Sequence, residues 1–501
     1  MQSSKKFFIF GTAVVILIIT ISVFFALALR EQEVSEAPLA CDFNFDGFVD
    51  NRELRRCGED GVEPDQEPPT TSELEVIGQT PDGRTYADFE IYSESTGSAG
   101  GKLAVRAYLP TKTRHAAGAP IVITGAGGSD AGGMENRLPV QGDDFVMITF
   151  MFPGGDDRLT GRSSEGVYDF RGEQSIMALR DVILFAAGQK SATNGRGLDD
   201  MLDVPVDHEN IGLIGFSNGG NIVVAVAAEY GTQIKDYVKY IIQWETPVSS
   251  QAATRDFGRT LIRSNQVEYM NHRYCGYGDE IACSDYRDLV YNAAEPDWPV
   301  FHDGNGDGEF TMVFDPSLNQ EVPDLDLSGS LETDEDWPLG TYEDQAGLAY
   351  YSRAVTNALD QYGVFGVWPE GIATPVQADG FWSLREAVVL YNEAIDKIPG
   401  LEAMVLCGER DHVQSSPDKF HVHQALEGWM DAGADWVKLN PSLEYLYQVD
   451  PRFEELNLPD TAANTQPTDW TDFASYAMPE KMNTASYQLA ALWQMMDRAE
   501  D

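Results

Sequence analysis

The chain has 501 residues, 43% of them hydrophobic, with 81 Asp plus Glu against 34 Lys plus Arg and a formal net charge of −47. The length suits one large α/β domain with additions. The charge excludes nucleic acid and anionic lipid as partners of the main body, because both are repelled by an acidic surface.

Residues 7–29 carry no charge, with Lys5 and Lys6 before them and Arg30, Glu31 and Glu33 after. This stretch is long enough to span a bilayer, and the lysines place its N-terminus in the cytoplasm and the body outside. The expectation for residues 1–30 is therefore a single-pass membrane anchor. The competing reading is a secretory signal cut after Ala26-Leu27-Ala28, which also exports the body. Cysteine usage agrees with export: Cys41 with Cys57 and Cys275 with Cys283 each bracket a short stretch, leaving Cys407 alone at the end of an apolar strand. Two local disulfides and one buried thiol are expected.

Residues 38–60 form a small module. Asp42, Asn44, Asp46, Phe48, Asp50 and Glu53 stand at the oxygen-donating positions of a calcium loop, with Gly47 at its sharp turn. The spacing resembles an EF-hand loop and, without a clear preceding helix, the loop–helix of dockerin-type modules. Residues 61–85 read as an acidic, Pro-rich linker. From Tyr86 two antiparallel strands are expected, around Phe89 to Tyr92 and Leu103 to Tyr108. Pro120 to Thr124 and Phe145 to Phe150 read as buried strands, the first opening into Gly125-Ala126-Gly127-Gly128-Ser129. Tyr168-Asp169-Phe170-Arg171-Gly172 leads into a helix with Ala178, Leu179, Val182, Ile183 and Phe185 on its apolar positions.

The chain then reaches Gly215-Phe216-Ser217-Asn218-Gly219, between a buried strand at Ile211 to Ile214 and a helix from Asn218 to Tyr230. Gly-x-Ser-x-Gly at a strand-to-helix switch holds a serine hydroxyl exposed on a sharp turn. Strands alternating with helices through Val238 to Trp244 predict a mostly parallel sheet covered on both faces.

This succession resembles the α/β-hydrolase fold, closest to dienelactone hydrolase and the prolyl oligopeptidase catalytic domain, over about residues 86–250 and 380–440. The resemblance implies Ser217 as nucleophile and an oxyanion hole from amides of Gly127, Gly128 and Asn218. It also implies a triad acid after the strand Leu401 to Leu406, where Asp411 stands. Residues 86–250 and 381–501 would form the two parts of the hydrolase, and 251–380 a cap inserted between them.

The cap carries further acidic loops. Asp324, Asp326, Ser328, Ser330, Glu332 and Glu335, with Gly329 at the turn, repeat the calcium spacing. Asp303, Asn305 and Asp307 begin it, but Phe314 occupies the last position. Calcium is expected as a structural ion, and solvated acid runs are the alternative. Beyond the cap, a helix is expected around Trp382 to Ile395, another from Asp418 through Trp429, a strand at Trp436 to Leu439, and a closing amphipathic helix through Tyr487, Leu489, Leu492 and Met495.

The family pattern puts the base histidine after the last strand, yet no histidine occurs from Gln424 to Asp501. Of the seven histidines, His115 and His208 precede strands and face away from the nucleophile. His412 is the first expectation for the base, His421 and His423 are its alternatives, and His272 and His302 belong to the cap. Glu245 is a substitute acid, because Asp411 and His412 are neighbours whose side chains point apart. The expected function is an extracytoplasmic, membrane-anchored serine hydrolase acting on a small-molecule or peptide ester or amide. The alternative is an inactive calcium-binding surface protein on the same scaffold.

Overall fold

Two compact units divide the chain, residues 1–64 and 65–501. The computed structural model describes residues 76–500 apart from 81–82, 99, 129–130, 135–142, 158–159, 251–259, 264–265, 270–285, 295–298, 311, 316–319, 324–335, 345, 410, 412, 414–418, 468–473 and 480–483. The expected membrane span, the loop of Asp42 to Glu53, the loop of Asp324 to Glu335, both expected disulfides and His412 lie outside the described residues. Among the described residues no helix is long and apolar enough to cross a membrane.

The second unit is built on a nine-stranded sheet. In chain order its strands are β1 (Val76–Gln79), β2 (Thr85–Tyr92), β3 (Lys102–Tyr108), β4 (Ala119–Gly125), β5 (Val146–Phe150), β6 (Val206–Phe216), β7 (Val238–Trp244), β8 (Glu402–Leu406) and β9 (Val437–Leu439). Their order across the sheet is β1-β2-β3-β5-β4-β6-β7-β8-β9. The first three strands and β5 pair antiparallel, and from β5 to β9 every pair is parallel. The result is the mostly parallel, two-sided α/β sheet that the α/β-hydrolase resemblance implies.

The apolar runs explain this topology, since a strand buried on both faces needs apolar residues at every position. Ile121 and Ile123 of β4 enter the core on one face while Val122 enters the other. Helices α1 (Glu173–Ala186), α2 (Gly219–Ile234), α5 (Tyr391–Lys397) and α6 (Phe420–Asp431) cover the first face. On the second face lie α7 (Leu443–Val449) and the closing helix α8 (Thr484–Glu500), which buries Ala490, Leu492, Met495 and Met496 completely. Each large apolar side chain so buried contributes about 1.5–3 kcal/mol, which fixes α8 to the body.

Three boundaries differ from those expected. The sheet begins with β1, inside the stretch read as linker, and its backbone pairing with β2 carries no strong side-chain signal. The helix expected over Trp382 to Ile395 is broken into α4 (Pro375–Trp382), a short 3-10 turn at Ala387–Val389 and α5. Tertiary hydrogen bonds override the helical ladder there: Ala387 N donates to Asn221 Oδ1 at 3.1 Å and Val388 N to Val248 O at 3.0 Å. The helix expected from Asp418 starts at Phe420, because Lys419 adopts φ 42°.

The insertion contains short antiparallel strand pairs and helix α3 (Arg353–Gln361) with its own apolar cluster of Leu289, Val300, Tyr351, Val355 and Leu359. It returns to the body through α4.

Candidate active site

Strand β6 ends at Phe216 and α2 begins at Gly219, so the chain reverses over Ser217 and Asn218. Ser217 sits at φ 50°, a left-handed conformation that costs a non-glycine residue free energy and clusters at functional sites. Its N–H donates to Trp244 O at 2.9 Å, and its carbonyl accepts from Gly220 N at 2.9 Å, which pins the turn on both sides. The flanking glycines are required by close approach. A Cβ on Gly215 would lie 2.3 Å from Gly219 O, and one on Gly219 would lie 2.1 Å from Gly125 O. The Gly-x-Ser-x-Gly spacing is therefore the footprint of a turn with no room for side chains at those two positions.

The end of β4 runs against this turn. A Cβ on Gly127 would lie 2.9 Å from Phe216 O and 3.1 Å from Ser217 Cβ, so the Gly127 backbone touches the serine. Among the described residues the amides of Gly127, Gly128 and Asn218 donate to no backbone acceptor. The Asn218 side chain spans the gap, donating from Nδ2 to Gly128 O at 3.2 Å and to the Tyr342 hydroxyl at 2.7 Å. Gly127 thus lies against Ser217, and Gly128 is joined to the turn through the Asn218 side chain.

Three groups not assigned from the sequence hold this arrangement. Arg171 Nη2 donates to Ala126 O at 2.9 Å and Gly127 O at 2.7 Å, which ties the glycine-rich end of β4 in place. Its own backbone is at φ 62°, after Phe170 at φ 55°. Asp169 accepts from Gly172, Gln174 and Ser175 amides at 3.0, 2.6 and 3.2 Å and from Ser175 Oγ at 2.5 Å, anchoring the start of α1. Arg385, following α4, donates to Phe170 O at 2.6 Å and Asp169 O at 2.7 Å. Burial pulls the Arg385 guanidinium down to about 10. The only sequence signal for these contacts was the Asp-Phe-Arg-Gly string itself, whose positive φ angles no pattern announces.

Between the turn and the insertion lies a pocket with about 330 Å³ of empty space, lined among others by Phe170, Asn218, Ile222, Tyr342, Phe381 and Trp382. Four aromatic side chains line it, together with Arg171, Arg385 and the residue after Ser217.

Asp411, beyond β8, is fully buried, and its Oδ2 lies 2.6 Å from Nε2 of His421, which is 1% exposed. Asp411 Oδ1 accepts from Val413 N at 2.8 Å. A carboxylate accepts only, so His421 Nε2 carries the proton of this bond. His421 lies in the first turn of α6 and is brought there by the left-handed Lys419. Among the described residues, His421 is therefore the histidine whose ring meets the expected acid. His423 points elsewhere: its Nδ1 is 3.9 Å from Glu427 Oε2, and burial lowers its imidazole to about 4. Glu245, the substitute acid, follows β7 at φ 46° with 8% exposure. His302 is buried in a strand of the insertion, and His208 bonds Ala186 O and Asp199 at the opposite ends of the strands.

The place after β9, where the family pattern puts its histidine, holds Asn440 at φ 60°. Its Oδ1 accepts from Cys407 N at 2.9 Å, and its Nδ2 donates to Tyr476 O at 2.6 Å. That position is a structural tie. Cys407 is a free, buried thiol, and burial pushes it up to about 12.

In the insertion, Asp303 and Asp307 meet Asp336, their carboxylate oxygens within 4.8 Å of one another. Asp303 also accepts from Gly306 N at 2.6 Å and Gly308 N at 2.8 Å, and Asn305 Oδ1 from Asp307 N at 2.9 Å. Asp336 lies one residue beyond the second expected loop.

No protein-family model and no curated protein matches the sequence. Among solved structures, the chain is similar to the α/β hydrolase GrgF from a Penicillium species, at 14% identity and TM-score 0.32, covering 71% of this chain and 88% of that one. It is similar to a fungal esterase from Rhizomucor miehei at 9% identity and TM-score 0.37, covering 86% and 87%. The esterase Est22 is similar at 10% identity and TM-score 0.35, covering 74% and 72%. At these values the likenesses carry no argument about chemistry, which rests on the geometry of the site.

Proposed function

We propose that this protein is a serine hydrolase that cleaves an ester or amide through an acyl-enzyme on Ser217. The observation that carries the reading is Ser217 itself, held at φ 50° on a strand-to-helix turn against Gly127 and Asn218. A strained non-glycine residue persists only where its surroundings enforce it, and a serine presented this way is built for attack.

In this mechanism Ser217 Oγ attacks the carbonyl carbon as the second ring nitrogen of His421 takes its proton. Asp411, bonded to Nε2, stabilises the imidazolium that forms. The amides of Gly127 and Asn218 receive the developing oxyanion. The imidazolium returns its proton to the leaving group, and water repeats the sequence to release the acid. Ser217, Asp411 and His421 follow the nucleophile–acid–histidine chain order of α/β-hydrolases. The ring differs from the usual template in meeting its acid through Nε2, because its backbone enters from α6. The aromatic pocket suits a small-molecule substrate with an apolar body.

A fluorophosphonate probe tests the reading. Wild-type protein is expected to label at one site and Ser217→Ala not at all; wild-type protein that stays unlabelled at high probe concentration overturns it.

We propose further that residues 7–29 anchor the protein with its body outside the cytoplasm, and that calcium is a structural ion of the acidic loops. The oxygen-only donor set of Asp303, Asp307 and Asp336 suits calcium, and the ion's role would be to neutralise mutual repulsion there. Unfolding temperatures that agree in excess calcium and excess chelator would dismiss the ion. Full-length protein that stays in the soluble fraction without detergent would dismiss the anchor.

A further inference from the structure

His115 lies at the other end of the strands from Ser217, in the turn before β4. It stands beside Asp207, near the start of β6, and Glu500, at the end of α8. Nine residues of extended chain separate Asp207 from Ser217 along β6, a distance of about 30 Å. One ligand atom from each of His115, Asp207 and Glu500 lies within 4.8 Å of the other two.

The imidazole is already set up by its neighbours. Its Nε2 is 2.9 Å from Asp497 Oδ1. Arg114 grips the same carboxylate with Nε at 2.6 Å and Nη2 at 2.8 Å. A carboxylate gripped by a guanidinium on both oxygens is ionised. An ionised Asp497 accepts only, so Nε2 carries a proton and Nδ1 presents a lone pair. The His115 side chain is only 10% exposed, and its Nδ1 is buried without a hydrogen-bond partner. The carboxylate facing it, Glu500 Oε2, is 3.7 Å away, beyond hydrogen-bond reach. A lone pair aimed at two carboxylates is repulsive unless a cation stands between them.

The surrounding turn is rigid. His115 N donates to Gly118 O at 3.3 Å, Ala119 N to Pro205 O at 2.8 Å, and a Cβ on Gly118 would meet Asp207 N at 2.7 Å. Asp207 Oδ1 accepts from Glu209 N at 3.2 Å, which holds this carboxylate at the start of β6. A ring nitrogen oriented by a carboxylate on its other nitrogen is the arrangement that metal-binding histidines use.

We propose that His115 Nδ1, Asp207 and Glu500 bind a divalent transition metal of the zinc class, which clamps the end of α8 to the turns that open β4 and β6. One imidazole with two carboxylates suits zinc better than calcium, which takes oxygen ligands throughout. Bonds of about 2.0–2.2 Å to a tetrahedral ion place ligand atoms roughly 3.5 Å apart. The exposed Glu500 side chain closes the difference by rotating.

The test is titration of chelator-stripped full-length protein with zinc alone, read by calorimetry and by unfolding temperature. One equivalent is expected to bind and to raise the unfolding temperature of the wild type. Glu500→Gln changes an exposed residue at a helix end, so it leaves the fold intact. It is expected to weaken binding at least 10- to 100-fold, the range seen when even an outer-shell partner of a metal ligand is lost. His115→Gln is expected to weaken binding further, whereas Asp303→Asn and Ser217→Ala leave it unchanged. Zinc affinity that is the same in wild type, Glu500→Gln and His115→Gln overturns the site, as does equal stabilisation by calcium through these residues. Failure of zinc to bind the wild type overturns it as well.

Discussion

Replacing Asp411 by asparagine tests the pair on which the proposed chemistry depends. The substitution keeps the volume of a fully buried side chain, and its orientation is fixed by what surrounds it. Val413 N donates to Asp411 Oδ1 at 2.8 Å, so the asparagine oxygen stays on that side and its NH2 group faces His421 Nε2. Nε2 must then accept, and the ring's proton moves to the other nitrogen, the one required as base. Loss of a hydrogen bond to a charged group costs about 1.5–3 kcal/mol, or about 10- to 150-fold in rate at 1.4 kcal/mol per decade. The wrong tautomer adds to this, and in a Ser-His-Asp triad the same exchange costs on the order of 10⁴ in kcat. We expect kcat/KM on a small aryl ester, and the rate of fluorophosphonate labelling, to fall by about 10³- to 10⁴-fold. His421→Gln is expected to fall as far, and the double variant no further, since members of one catalytic unit are not additive. An Asp411→Asn protein that folds normally and labels within about threefold of wild type refutes the assignment and leaves the pair a structural one.

Two further outcomes follow from groups around the site. His423 is held neutral by burial, with its folded value at about 4 against an ordinary 6.5. Between those values the unfolded chain binds more protons, so stability rises with pH from about 4 to 6.5 and is lost as pH falls through that window. Urea midpoints at pH 7 and pH 4.5 should converge in His423→Gln; an unchanged pH dependence excludes the residue as the cause. Arg171→Leu removes the donor to Ala126 O and Gly127 O, and we expect kcat to fall about 10- to 100-fold with KM little changed, as for a weakened oxyanion site. A pure rise in KM would instead place Arg171 in substrate binding.

How much of this was legible follows from which constraints are local. The turn around Ser217 could be read because its glycines are forced by contacts within 2.3 Å, and no other residue type fits there. The buried strands could be read because both faces of β4 and β6 demand apolar side chains. Strand β1 could not, since its pairing with β2 is carried by backbone bonds that almost any sequence supplies. Arg171, Arg385 and Tyr342 act through hydrogen bonds to residues far along the chain, and such contacts leave no spacing to detect. The break after Trp382 belongs to the same class, because Asn221 and Val248 take the amides that a continuous helix would have used.

The histidine shows where local reading stops and topology takes over. Asp411 was readable because it follows an apolar strand, but the residue that meets it depends on how the chain returns from β8 into α6. Lys419, buried and left-handed, starts that helix so that His421 stands in its first turn against the carboxylate. His423, two residues on, is rotated about 200° around the helix axis and faces Glu427 instead. Asn440 meanwhile occupies the turn after β9 and ties it to Cys407 and Tyr476. A catalytic ring needs only to reach its acid and the nucleophile, so the connection before β9 can supply it as well as the connection after. Restoring the family arrangement with Asn440→His in an His421→Gln background therefore should not recover activity: it breaks one buried and one partly buried hydrogen bond, at about 1–3 kcal/mol for a buried group left unsatisfied, while Asp411 stays aimed at α6. Recovery of labelling in that double variant would show that the acid serves either position, and that its bond to His421 is not what fixes the base.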